Sequence, residues 1–187
     1  MLSADARVLL DRACNADGPL ELEGTPAEAD RIATVLRHAS VDELGERGLW
    51  NVLFAAGELS RRVDVYRAHE LFLGATSLVE RAGQEAIAGS PRAVTVEMAF
   101  DFFFARARHP LVPLRARDIV DALARLIAHG TRSARRAAIH GLGHLIEHGG
   151  TQAWVHDAVA QLDGLVAAGG DIELTRYAEE ARTGMLR

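Results

Sequence analysis

The sequence predicts an all-α protein of about nine helices, and three observations support this fold class. Alanine, the residue with the highest helix propensity, occurs 33 times in 187 residues, whereas proline occurs 5 times. Apolar residues recur at intervals of three and four along most of the chain, which is the spacing of an amphipathic helix. No segment alternates polar and apolar residues as a half-buried strand does.

Capping residues mark where the predicted helices begin. Thr25 and Ser40 each lie three residues before a glutamate, which is the capping-box pattern, and Ser90 precedes a proline at the first helical position. Helices are expected near 3–14, 26–38, 41–59, 64–82, 90–108, 114–129, 133–148, 151–168 and 171–184. The longest loop is expected at 15–25.

The central part of the chain repeats with a period of 43 residues. Three segments superpose at that offset: 49–59, 92–102 and 135–145. The alignment places Glu58, Asp101 and His144 in one polar column beside apolar ones, as expected for a repeated amphipathic helix. A second set of segments also matches, 118–130 with 157–169, and 70–82 is a weaker copy. The pattern predicts stacked helix pairs.

One copy of the repeat resembles a known family. The segment Ala134-Arg135-Arg136-Ala137-Ala138-Ile139-His140-Gly141-Leu142-Gly143-His144-Leu145 carries an arginine, an alanine pair and a Leu-Gly step. It is similar to the HEAT-repeat family, closest to its short bacterial form, and the resemblance covers about residues 41–168. The resemblance implies a right-handed α-α superhelix in which the second helix of each pair lines the concave side. The alternative is a compact helical bundle with accidental periodicity.

The same resemblance implies one domain over residues 1–187. Its expected parts are N-terminal helices at 1–39, repeats at about 41–82, 90–129 and 133–168, and a capping helix at 171–187. The N-terminal residues do not form a secretory signal, and the most apolar segment, 94–104, is too short to span a bilayer. We therefore expect a cytoplasmic protein that does not bind membranes.

Composition excludes several kinds of chemistry. All 21 basic residues are arginine, so Schiff-base catalysis and a phosphate-loop lysine are impossible. Cys14 is the single cysteine, which excludes an intrachain disulfide and a cysteine-based zinc site. No nucleophile triad or glycine-rich nucleotide loop has a signature in the sequence, and no catalytic residue is predicted.

Polar positions on the predicted second helices form a candidate binding surface for a partner. These positions are Glu70, Asp118, Asp121, Arg125, Asp157 and Gln161. The set is mainly acidic, so we expect a protein partner with a basic patch rather than a nucleic acid, whose phosphates would be repelled. The favoured function is a non-enzymatic scaffold or adaptor without a cofactor, which binds its partner on the concave face.

A second, metal-dependent hypothesis comes from the repeat alignment. At the offset of 43, Glu97 aligns with His140 and Asp101 aligns with His144, and each pair is spaced i, i+4 on a predicted first helix. These four residues could bind a divalent ion such as zinc, in an enzyme or a metal-binding protein. The alternatives are a surface ladder of hydrogen bonds in water and a pH-sensitive contact.

Two enzymatic branches of HEAT-like proteins match the sequence less well. Deoxyhypusine hydroxylase builds a di-iron site from repeated His-Glu dipeptides, but only His69-Glu70 has that form here. The positions before Asp118 and Asp157 hold an arginine and a histidine, so the set of iron ligands is incomplete. HEAT-like DNA glycosylases need a basic groove, which the acidic positions above do not provide.

Overall fold

A computed structural model describes residues 2–105 and 109–184 of the chain. Within these residues it contains ten α-helices and no strand, which confirms the all-α class. The helices are α1 (Ala4–Asn15), α2 (Pro26–His38), α3 (Val41–Leu59), α4 (Val65–Glu85), α5 (Pro91–Glu97), α6 (Asp101–Phe104), α7 (Val112–His129), α8 (Arg132–Gly149), α9 (Ala153–Ala168) and α10 (Ile172–Ala181). No helix in this part of the chain is long and apolar enough to cross a bilayer.

The predicted caps begin the helices to which they were assigned. The Thr25 and Ser40 hydroxyls accept from the backbone N–H groups of Glu28 and Glu43, and each glutamate carboxylate accepts from the N–H of its cap residue. Both capping boxes are therefore complete. Because the caps satisfy backbone groups that the first turn leaves free, α2 and α3 begin where the sequence predicted.

The single helix expected at 90–108 is wrong, because the chain breaks between α5 and α6. The N–H groups of Ala99 and Asp101 donate to the carbonyls of Val96 and Met98, which are three-residue steps typical of a 3₁₀ turn. A tighter turn rotates the side chains that follow it relative to those before it. The ten helices therefore correspond to the nine expected ones, with the fifth divided. The end of the prediction, 106–108, lies outside the described residues.

The helices contact one another in two rows. The first row contains, in order, α1, α3, the pair α5 and α6, α8 and α10, and each member packs on the next. In the second row α2 packs on α4, α4 on α7, and α7 on α9. Contacts between the rows include those of α3 with α4 and of α7 with α8. Residues one repeat apart are thereby brought to adjacent helices of a row.

An aromatic cluster fills the core where the two rows meet. Phe72 of α4 is fully buried, and its ring centroid lies 5.8, 5.9 and 5.7 Å from those of Phe100, Phe103 and Phe104. Aromatic side chains bury more apolar area than any others, so this cluster anchors the broken helix against α4. Phe102 is only half-buried and contacts the ring of Phe54 on α3.

Candidate functional site

Helix α8 places two histidines side by side. His140 and His144 are one helical turn apart, and their ring centroids lie 4.7 Å from each other. Their side chains keep only 20% and 13% of their exposure. Gly141 permits this burial, because a Cβ at that position would lie 3.1 Å from the Cβ of Phe100. The close approach holds α8 against the turn that precedes α6.

Asp101, the first residue of α6, faces both histidines. Its Oδ1 atom lies 2.6 Å from His140 Nε2 and 3.0 Å from His144 Nε2, and the two nitrogens are 3.1 Å apart. We call Asp101, His140 and His144 the His-Asp triad. The offset of 43 residues correctly paired Asp101 with His144, but Asp101 also reaches His140.

The other ring nitrogen of each histidine has a partner of its own. His140 Nδ1 hydrogen-bonds the hydroxyl of Tyr177 on α10, and His144 Nδ1 lies 3.4 Å from Glu147 Oε2. These contacts orient both rings so that their Nε2 atoms point at Asp101. The sequence gives no indication of a role for Tyr177, because it lies in the last helix, beyond the repeated segments.

Glu97 does not join the triad. Its carboxylate lies 3.2 Å from Arg136 Nε and accepts a hydrogen bond of 3.4 Å from the Ser133 hydroxyl. Arg136 in turn lies over the Tyr177 ring, 4.7 Å from its centroid. The prediction that Glu97 faces His140 is therefore wrong, because the 3₁₀ turn after α5 separates its direction from that of Asp101. Glu97 is therefore connected to the triad only indirectly: it contacts Arg136, Arg136 contacts Tyr177, and Tyr177 contacts His140.

Burial and hydrogen bonding set the charges in the triad. Burial alone would raise the pKa of Asp101, but the hydrogen bonds from His140 and His144 outweigh it and lower that pKa to about 2. Burial would lower the pKa of His144, yet Asp101 and Glu147 together raise it. Burial raises the pKa of Tyr177 to about 12, so its hydroxyl stays neutral. The triad thus combines a carboxylate with two imidazoles, and a neutral phenol lies beside it.

A cavity of about 670 Å³ adjoins the triad. His144 and His148 line it together with the apolar side chains of Phe104, Val112 and Trp154. The cavity lies where α6, α8 and the starts of α7 and α9 come together. One edge of the triad therefore borders a space that admits small molecules.

The residues predicted to bind a partner fall into two groups. Glu70 is half-buried and forms an ion pair with Arg37, and Asp118 lies 3.3 Å from Arg115. The remaining four are exposed on α7 and α9: Asp121, Arg125, Asp157 and Gln161. None of these four has a hydrogen-bond or ion-pair partner among the described residues. We call these four residues the exposed polar row.

Comparison of the chain with protein-family models, with curated proteins and with solved structures finds no match. Any inference about function must therefore come from the residues themselves. Two features are available for it: the exposed polar row on the second row of helices and the His-Asp triad on the first.

Proposed function

We propose that the protein is a cytoplasmic HEAT-like scaffold that binds another protein through its exposed polar row. In this proposal the two rows of helices form a right-handed superhelix, with α4, α7 and α9 on its concave side. The observation that carries the proposal is the row itself, four polar side chains that have no partner among the described residues and lie on two helices that pack together. Polar groups on adjacent helices that are free to bond are well suited to contact a partner.

Several charged residues of α2 and α4 are already paired. Arg67 on α4 lies 3.0 Å from Asp30 and 2.8 Å from Asp64, and Glu70 is held by Arg37. These pairs belong to the surface of α2 and α4. Because these charged side chains already have partners, they are less available to another protein than the exposed polar row on α7 and α9.

The charges of the exposed polar row indicate the kind of partner. Asp121 lies on α7 and Asp157 on the neighbouring helix α9. Arg125 and Gln161 each follow one of these aspartates by one helical turn. Two acids favour a basic patch on the partner, while the arginine and the amide add directional hydrogen bonds. Exposed charges of this kind chiefly accelerate association, so binding should weaken as ionic strength rises.

A charge-reversal experiment with a matched control tests this proposal. The double variant Asp121→Arg, Asp157→Arg changes the exposed polar row. The control Asp5→Arg, Glu179→Arg makes the same change in net charge at exposed positions on α1 and α10. Partners are recovered from native extract on tagged wild-type protein, identified, purified and titrated against each variant at low and high salt.

We expect the variant of the exposed polar row to bind the purified partner at least about tenfold more weakly, because close charge pairs at interfaces contribute more than 1.4 kcal/mol. The control should bind like the wild type. Equal affinities for the two double variants, or an affinity that does not depend on salt, would contradict the proposal.

A further inference from the structure

We propose that Asp101, His140 and His144 bind one divalent first-row transition-metal ion. The proposal is independent of the scaffold function, because the triad lies on α6 and α8 of the first row, whereas the exposed polar row lies on α7 and α9. Two observations carry it: the convergence of three ligand atoms, and the contacts that fix the far side of each imidazole.

The contacts made by the Nδ1 atoms of His140 and His144 suit the histidine tautomer that binds metals through Nε2. The Glu147 carboxylate accepts hydrogen bonds only, so His144 must carry its proton on Nδ1 to bond it. His140 can likewise donate from Nδ1 to the Tyr177 hydroxyl oxygen. When an ion is bound, each imidazole would be neutral with its proton on Nδ1, and both Nε2 lone pairs would face the ion. Metal-bound histidines typically donate their second N–H to a carboxylate or other oxygen in this way.

The distances among the ligand atoms favour three adjacent positions of an octahedral ion. The three separations are 2.6, 3.0 and 3.1 Å. An ion about 2.1 Å from each atom would see them at angles of about 75–95°. Octahedral neighbours are separated by 90°, whereas tetrahedral ligands would lie about 3.4 Å apart at the same bond length. Two histidines and one carboxylate on one face match the ligand set of non-haem iron sites.

The donor atoms and the surroundings narrow the choice of ion. Two imidazoles and one carboxylate suit iron, cobalt, nickel or zinc rather than calcium or magnesium, which prefer oxygen alone. Three protein ligands leave positions for water or a small molecule. The cavity that His144 also lines borders this edge of the site.

Without a metal, a different proton arrangement would hold the same residues together. A doubly protonated His144 would donate to Asp101 from Nε2 and to Glu147 from Nδ1. That arrangement is a pH-sensitive hydrogen-bonded cluster, and it needs no ion. The two possibilities differ in one measurable respect, since only the first gives saturable binding of one ion per chain.

Cobalt is a suitable probe, because its visible absorption reports coordination. The full chain is treated with a chelator, dialysed and titrated with Co²⁺ by calorimetry and by absorption. We compare the wild type with His140→Gln, Asp101→Asn and Tyr177→Phe. The matched control is His148→Gln, which removes an imidazole from the same face of α8, one turn beyond His144.

We expect the wild type to bind one Co²⁺ per chain with the weak absorption of a six-coordinate ion. Loss of a ligand in His140→Gln or Asp101→Asn should lower the affinity by about 100-fold or more, and Tyr177→Phe by about 10- to 100-fold. His148→Gln should bind within about threefold of the wild type. Circular dichroism of each variant establishes that it is folded, and if Asp101→Asn does not fold, His140→Gln and Tyr177→Phe decide the result.

Three results would overturn the proposal. One is the absence of saturable binding to the wild type, and another is equal affinity in wild type and His140→Gln. The third is loss of binding in His148→Gln alone, which would move the ion to the neighbouring group of His144, Glu147 and His148. The readouts are binding and absorption, so none of them depends on the partner of the exposed polar row.

Discussion

A close approach between two helices of the first row gives a sharp test of the fold. Gly57 on α3 faces Phe102 on α6, and a Cβ at Gly57 would lie 2.3 Å from the Phe102 carbonyl oxygen and 2.5 Å from its carbon. Backbone atoms cannot rotate out of the way as a side chain can. To restore normal contact in Gly57→Ala, α3 and α6 would have to separate by about 1 Å.

The expected cost of this substitution follows from two opposing terms. Overpacking against a rigid neighbour costs up to about 3 kcal/mol, whereas replacing glycine by alanine inside a helix gains about 1 kcal/mol. The net effect is a loss of about 2 kcal/mol in the free energy of unfolding. With a urea dependence of about 2 kcal/mol per molar, the unfolding midpoint should fall by about 1 M.

A second glycine supplies the matched control for this measurement. Gly164 lies within α9, and a Cβ there would have no neighbour within 4 Å in the described part of the chain. Gly164→Ala should therefore stabilise the protein by about 0.5–1 kcal/mol through helix propensity alone. If urea unfolding shows Gly57→Ala to be stabilised like Gly164→Ala, the packing of α3 on α6 described above is incorrect.

Two further predictions concern buried polar residues. Burial, with Arg61 nearby, lowers the pKa of His109 to about 4, below its ordinary 6.5, so the unfolded state takes up a proton first as pH falls. Protonation of His109 alone should therefore lower the free energy of unfolding by about 3 kcal/mol between pH 7 and pH 4, and urea unfolding of His109→Gln should lack this contribution. Asn51 is buried and donates to the Ala13 carbonyl at 2.8 Å. Asn51→Ala should destabilise the protein by about 1–3 kcal/mol at neutral pH, and an unchanged urea midpoint would contradict this.

Local sequence signals predicted the helices that begin at a cap. The expected bounds 26–38 and 41–59 match α2 and α3, because each begins at a capping box whose hydrogen bonds form within four residues. The break after α5 had no such signal. Segment 94–104 contains no glycine or proline, and its division follows from the packing of phenylalanines around Phe72 of a different helix.

For the candidate sites too, contacts within one helix or one repeat could be predicted from the sequence, whereas contacts from elsewhere in the chain could not. The i, i+4 spacing predicted that His140 and His144 share a face, and the repeat offset predicted that Asp101 lies near them. Tyr177 could not be predicted, because it reaches His140 from a helix outside the repeats. Glu70 was expected to be free for a partner, but the arginine that binds it, Arg37, belongs to α2, before the repeated segments.

The broken helix connects the fold to the proposed metal site. In an unbroken helix, Glu97 and Asp101 would point the same way and each would face one histidine, as the alignment suggested. Because of the 3₁₀ turn, Glu97 instead pairs with Arg136, and Asp101 contacts both imidazoles. Three ligand atoms therefore converge. A change that restores a continuous helix should therefore separate these atoms. The local irregularity in the repeat, rather than the repeat itself, produces the geometry that an ion requires.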